Sequence, residues 1–251
     1  PDMLVLCHAV FGTALVAGGT AALNHYIERE HDAKMRRTAN RPLPSGRLSA
    51  REALTFGIGI SVMGIVYLAV LVNWLTSLLG LVTLLSYLFI YTPLKRRTTW
   101  ATFVGAFPGA APVLMGWAAM TGSLSMGAWA LYALLFVWQF PHFLAIAWMY
   151  REDYARAGML MLPARDPQGD AAFHQILGYS LVLIPVSLIP TVLGMTGSIY
   201  MWSVAALGLG FLVFAWHVSC ERTKLSAKML LHVTVVYLPV VYAVMVANKI
   251  G

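Results

Sequence analysis

"MLVLCHAVFGTALVAGGTAALNHYIEREHDAKMRR", residues 3–37, changes character at Asn24. Residues 3–23 form an uninterrupted apolar run, whereas residues 24–47 carry three acidic and six basic side chains. A helix needs about 20 apolar residues to cross a hydrocarbon core, so the run predicts a membrane helix that emerges into a charged loop. The rest of the chain repeats this pattern. Of its 251 residues 59% are hydrophobic and 11% charged, against roughly 25% charged in a soluble domain, and the mean hydropathy is +0.73. Further apolar stretches lie near 53–73, 75–94, 99–120, 127–149, 176–196, 200–219 and 229–248. They lack the short alternation of barrel strands, and an open sheet could not satisfy its backbone in lipid. The expected fold is all-α: a polytopic membrane helical bundle with eight transmembrane helices.

Charge placement tests that count, because Lys and Arg gather on the cytoplasmic loops. Arg29, Lys34, Arg36, Arg37, Arg41, Arg47 and Arg51 fall in the first predicted loop, and Lys95, Arg96 and Arg97 in the third. Arg151, Arg156 and Arg165 fall in the fifth, and Arg222, Lys224 and Lys228 in the seventh. Only Lys249 lies opposite. The net charge of +7 therefore reflects topology in an inner, cytoplasmic membrane, with a lipid bilayer as surroundings and no nucleic acid as partner. Cys7 and Cys220 are expected at opposite faces, too far apart for a disulfide. No signal peptide is read at the start, and no linker divides residues 1–251, which read as a single domain.

Asn24, Glu28 and Asp32 recur every fourth residue, which lays three oxygen-bearing side chains along one face if the first helix continues past the membrane edge. Magnesium is usually held by one or two carboxylates plus substrate phosphates. Arg29, Lys34, Arg36, Arg37 and Arg41 around the stripe could grip phosphate oxygens. The alternative is an ordinary solvated helix end beside a positive-inside loop, and the sequence leaves both open. "RPLPSGR", residues 41–47, reads as a stop and turn.

"REDYARAGMLMLP", residues 151–163, supplies a second acidic pair, Glu152 and Asp153, on the same face. Two carboxylate clusters there could hold metal around one diphosphate; equally, the pair could be interface charges matched with Arg151 and Arg156. Lys95 and Arg96 in "YTPLKRRT", residues 91–98, read as anion contacts or as positive-inside anchors. Gln139 and His142 sit inside the fifth span, where polar groups face a cavity or a partner. On an unbroken helix His142 and Asp153 would share a face and differ in depth by about 16 Å. A histidine bonded to a neighbouring helix is the alternative. His8, His217 and His232 read as structural.

Three stretches, "NHYIEREHDAKMRRTANRPLPSGR", "YTPLKRRTTWATFVGAFPGAAPVLMGWAAMTG" and "WQFPHFLAIAWMYREDYARAGMLMLP", resemble the UbiA superfamily of intramembrane prenyltransferases, in particular its heme-directed branch. The family's Asn-x-x-x-Asp-x-x-x-Asp motif lands on Asn24, Glu28 and Asp32, with Glu in place of the first Asp. In the second motif only Glu152 and Asp153 stand where the superfamily tends to space two Asp by four. The family typically has nine membrane helices, so the resemblance implies an N-terminally truncated chain whose first helix is missing. It further implies Mg²⁺-dependent transfer of farnesyl from farnesyl diphosphate to a vinyl group of protoheme IX (heme B), giving heme O. The catalytic set would be Asn24, Glu28, Asp32, Glu152 and Asp153, with Glu28, Asp32 and Asp153 on the metal. Arg29, Lys34, Arg36, Arg37, Arg41, Lys95 and Arg96 would bind diphosphate and His142 would bind heme iron or a propionate. A downstream heme-modifying enzyme would be a possible partner. A quinone precursor or chlorophyllide as acceptor, and a non-catalytic heme-binding or transport protein, are the competing readings.

Overall fold

A computed structural model of the chain describes residues 2–250. Among them eight helices are long and apolar enough to cross a membrane, at the eight places expected, and the protein is a polytopic, all-α membrane protein. In chain order the helices are α1 Met3–Asp32, α2 Ala50–Leu71, α3 Trp74–Ser86, α4 Thr92–Leu94, α5 Ala101–Thr121 and α6 Met126–Met149. Then follow α7 Arg151–Arg156, α8 Leu162–Arg165, α9 Asp170–Val192, α10 Ser198–Glu221 and α11 Lys224–Ala247. A π turn, Tyr87–Tyr91, joins α3 to α4. The chain forms two compact units, residues 1–124 with 152–161, and residues 125–151 with 162–251.

In the first unit α1 and α2 meet along glycines. A Cβ on Gly19 would collide with the Ser61 hydroxyl, one on Gly57 would stand 2.8 Å from Leu23 Cγ, and one on Gly64 would stand 2.8 Å from the Val16 amide nitrogen. Small residues let the backbones approach where lipid supplies no hydrophobic drive between helices. Val16, Leu23, Leu68, Leu84, Leu88 and Met115 fill the core between the helices. Asn73 caps α3 through the Thr76 amide and donates at 2.9 Å to the Ala118 carbonyl, fixing α3 against α5. Glu52 closes a capping box with Ser49 at the start of α2.

The π turn has a local cause. Pro93 has no N–H to give, and its ring crowds the carbonyl of the preceding turn. The widened turn relieves that clash and sends the Thr92 amide to the Tyr87 carbonyl instead.

In the second unit α6, α9, α10 and α11 bury Leu134, Trp148, Phe173, Phe211 and Tyr237 together. The Asp166 carboxylate accepts the amides of Gly169, Asp170 and Ala172, starting α9 about one and a half turns before the apolar run begins. Lys224 and Lys228 lie on α11 rather than in a loop, because a Thr223–Ser226 capping box begins that helix early. Cys7 and Cys220 are both free.

Candidate active site

The first helix does run on to Asp32, so Asn24, Glu28 and Asp32 lie along one face of α1, all buried, Asp32 to 1% exposure. Buried carboxylates need partners, and each has a cation. The Lys95 ammonium stands 3.0 Å from both Glu28 oxygens, with both side chains under a tenth exposed. Its geometry suits a hydrogen bond only at Oε2, which also accepts from the Asn24 amide at 3.0 Å; Oε1 is buried and accepts none. Arg41, from the turn-rich segment 33–49, reaches back to donate to Asp32 Oδ2 at 2.8 Å. That reversal is held by Thr38, whose hydroxyl donates to the Asp32 carbonyl, and by Gly46 at φ +74°. The helix has already ended at Asp32, ten residues before Pro42, so "RPLPSGR" forms the expected turn but is not what stops the helix.

The π turn aims the next group. Thr92 Oγ1 lies 2.8 Å from the Tyr87 carbonyl and 3.0 Å from Asn24 Oδ1, so the Asn24 amide presents oxygen to Thr92 and nitrogen to the Glu28 carboxylate. Lys95 rests over the rings of Tyr91, at 4.5 Å, and Tyr87, at 5.8 Å, a cation–π contact that holds an ammonium in a desolvated place.

Residues 152–161 belong to this same unit and are stitched to it. The Leu160 amide donates to the Lys95 carbonyl at 2.7 Å, and Arg156 donates to Asp153 Oδ1 at 2.9 Å and to the Lys34 carbonyl at 3.5 Å. His31 Nδ1 lies 3.0 Å from the Ala157 carbonyl. A carbonyl only accepts, so Nδ1 carries the proton, and the bare Nε2 accepts from Arg96 at 2.9 Å. Arg37 lies 3.5 Å from the Tyr154 hydroxyl. Burial raises the Tyr154 phenol above its ordinary pKa, with Arg37 and Lys95 opposing, so it is a neutral donor at physiological pH.

The expected residues therefore divide. Asn24, Glu28, Asp32, Asp153, Lys95 and Arg41 are buried or half-buried in one unit, and Arg96 and Arg37 join through His31 and Tyr154. Glu152 is exposed. Arg29 turns away, donating to the Tyr26 carbonyl and lying over the Tyr26 ring, and Lys34 and Arg36 are exposed. His31, Thr92, Tyr154 and Arg156 were not among the expected site residues; the Tyr87–Tyr91 pair, four apart and just before "KRR", is the one signal that could have pointed to the Lys95 seat.

His142 lies in the second unit. The helix carrying it ends at Met149, and Tyr150, at φ −111° and ψ 20°, breaks the run. The expected single helical face shared with Asp153 is thereby corrected. His142 Nδ1 lies 2.8 Å from Thr234 Oγ1, and the ring stacks on Trp138.

Among the described residues no three His, Cys, Asp or Glu side chains gather closely enough to hold an ion by themselves. The donor set nonetheless suits magnesium shared with a phosphate ligand, which takes one or two carboxylates and fills its shell elsewhere. Glu28 Oε1, buried and without a hydrogen-bond donor, is the oxygen such a cation would find.

The chain is similar to known proteins along its length. Over 250 residues the chain is 53% identical to the protoheme IX farnesyltransferase of Solibacter usitatus, covering all of this chain and 86% of that protein. It is 44% identical to the protein of the same name from Koribacter versatilis, covering 97% of this chain and 81% of the relative. A solved structure of a UbiA homologue from Archaeoglobus fulgidus bound to GPP and Mg²⁺ superposes with a TM-score of 0.71 at 13% identity, covering 98% of this chain and 89% of that one, a likeness of fold. The UbiA prenyltransferase family profile matches residues 1–242, and on that match and the near full-length identity, this chain belongs to the UbiA prenyltransferase family.

Proposed function

We propose that the chain transfers the farnesyl group of farnesyl diphosphate to a vinyl group of protoheme IX, giving heme O. The observation that carries the choice of acceptor is the 53% identity, along the whole chain, to a protein named protoheme IX farnesyltransferase. The buried carboxylate–cation pairs of the first unit support the chemistry. Both units belong to one catalytic domain in this reading, since the family profile runs through both.

Magnesium, held by Glu28, Asp32 and Asp153 with phosphate oxygens, would neutralise the diphosphate as it leaves. Lys95, Arg41 and Arg156, which now neutralise those acids, turn to the phosphate oxygens, so the site exchanges one set of charge partners for another without stranding a buried charge. Arg37 and Arg96 add further contacts, Arg96 with its guanidinium aimed by His31. Tyr154, kept protonated by burial, would donate to a phosphate oxygen. Asn24 holds the Glu28 carboxylate in place, and that carboxylate, which only accepts, fixes the amide with its nitrogen toward Glu28.

With charge so stabilised, the C1–O bond of the substrate breaks and its electron pair leaves with the diphosphate. The vinyl π electrons form the new C–C bond to C1. The cation left beside the porphyrin takes a water oxygen, and the water's proton goes to solvent or to the released diphosphate. The result is a hydroxyethylfarnesyl side chain. The positive-inside pattern supports a cytoplasmic membrane location with the acid-bearing loops on its inner side, from which heme O would pass to a downstream heme-modifying enzyme.

Membranes containing the chain, incubated with heme B, farnesyl diphosphate and Mg²⁺, are expected to yield heme O by mass, and Asp32→Ala to abolish it while leaving membrane insertion intact. Prenylated 4-hydroxybenzoate without heme O would replace this acceptor with a quinone precursor; undiminished product from Asp32→Ala would remove the metal role.

A further inference from the structure

The second unit holds a histidine whose protonation pattern its neighbours decide. Thr234 is fully buried, and its hydroxyl oxygen lies 2.6 Å from the Leu231 carbonyl and 2.8 Å from His142 Nδ1. A threonine has one hydroxyl proton. A carbonyl cannot donate, so the 2.6 Å contact is a bond only if that proton points at Leu231; otherwise two oxygens would repel across the gap. The proton to Leu231 leaves Thr234 Oγ1 as acceptor, and the hydrogen in the second bond comes from His142 Nδ1. The imidazole is then the Nδ1–H tautomer, and Nε2 carries a bare lone pair with no hydrogen-bond partner among the described residues.

The ring is also fixed in orientation. It stacks on Trp138, centroids 4.7 Å apart and planes 20° apart, with Phe143 edge-on at 5.3 Å. Trp138 in turn donates its indole N–H to the Thr234 carbonyl at 2.9 Å. One residue of α11 thus anchors both the histidine and the ring beneath it. Histidines that bind metals commonly have the other ring nitrogen hydrogen-bonded in this way, which sets the tautomer and raises ligand basicity.

We propose that His142 Nε2 is the axial ligand to the metal of a metalloporphyrin, with Thr234 as the residue that positions it. This rests on the heme reading given above and decides between the two contacts a histidine could make to heme. A bare nitrogen lone pair binds iron without losing a proton, whereas toward a propionate carboxylate it would set lone pair against negative charge. The porphyrin acidic groups need other partners.

The test is a titration of the purified full chain in detergent, with ferric heme B and, in parallel, metal-free protoporphyrin IX. Heme bound to the unaltered chain is expected to show an imidazole-ligated Soret band. His142→Ala should lose that band and weaken heme binding at least ~10-fold, free imidazole should restore the band, and metal-free protoporphyrin should bind both proteins equally. Thr234→Val should weaken heme binding about 10-fold, and Thr234→Ser should not. An unchanged heme spectrum in His142→Ala overturns the proposal, as does an equal loss for the metal-free porphyrin, which would mark a propionate contact. An unaltered Thr234→Val removes the positioning role, and a Soret band of the unaltered chain that is not imidazole-ligated overturns the ligation even if His142→Ala does not survive purification. Heme O is measured by mass alongside: its absence from the unaltered chain counts against the proposed function, whereas its formation with ligation unaffected by His142→Ala counts against this inference alone.

Discussion

Replacing Lys95 with Met separates what the Lys95–Glu28 pair does for the fold from what it does for turnover. The two side chains are 9% and 8% exposed and 3.0 Å apart, so the substitution strands a carboxylate whose one remaining side-chain donor is the Asn24 amide. Breaking a buried pair from one side costs about 3–5 kcal/mol, whereas neutralising both partners is often nearly free. Lys95→Met should therefore lower stability by about 3–5 kcal/mol, and Lys95→Met/Glu28→Gln should recover to within about 1 kcal/mol of the original, because a neutral amide needs no counter-charge. The coupling, about 3 kcal/mol, is read from unfolding in a mixed-detergent titration followed by tryptophan fluorescence. Heme O formation is measured on the same samples. Stability should return in the double variant and turnover should not, since Lys95 is assigned to the diphosphate and Glu28 to the metal. A coupling under about 1 kcal/mol would show the pair to be solvated and of the surface kind, and full turnover in the double variant would reduce it to a structural pair.

The glycine seam gives a paired prediction: Gly64→Ala should destabilise by about 1–3 kcal/mol through overpacking against Val16, while Gly59→Ala, with nothing within 4 Å of the added methyl, should be neutral or slightly stabilising in the same titration. His31→Leu should raise KM for farnesyl diphosphate several-fold with a smaller change in kcat, because Arg96 loses its acceptor, and His31→Gln, which can both donate and accept, should recover part of it. Equal effects of Leu and Gln would refute the bridging role. Chelating divalent cations with EDTA should stop heme O formation, with activity returning on added Mg²⁺; turnover that survives chelation would contradict the metal's place in the mechanism.

The membrane helices were legible because apolar length and one-sided charge are global constraints that any eight-span chain must satisfy. The α1 stripe was legible for a local reason, since side chains four residues apart must share a helical face. What a given cation touches was not: in "EREHD", residues 28–32, Arg29 stands between two acids and Arg41 nine residues beyond Asp32, yet the turn after Asp32 swings Arg41 inward while Arg29 folds back on Tyr26. Adjacent Glu152 and Asp153 looked alike, yet a short helix exposes one and buries the other. The break at Tyr150 left no mark in an apolar run ending "AWMY". Thr234 was invisible to sequence reading because its importance lies in which way one hydrogen points, 92 positions from His142.

The close approach of α1 to α2 bears on how the acid stripe meets its ligand. Helix α1 cannot rock or slide against a neighbour whose backbone it touches at Gly19, Gly57 and Gly64, so the stem beneath Asn24, Glu28 and Asp32 is stiff before any substrate arrives. Binding then has only side chains and the segment 33–49 to immobilise, which keeps the ordering entropy small. The rigid seam in the bilayer thus acts as an anvil for chemistry at its rim.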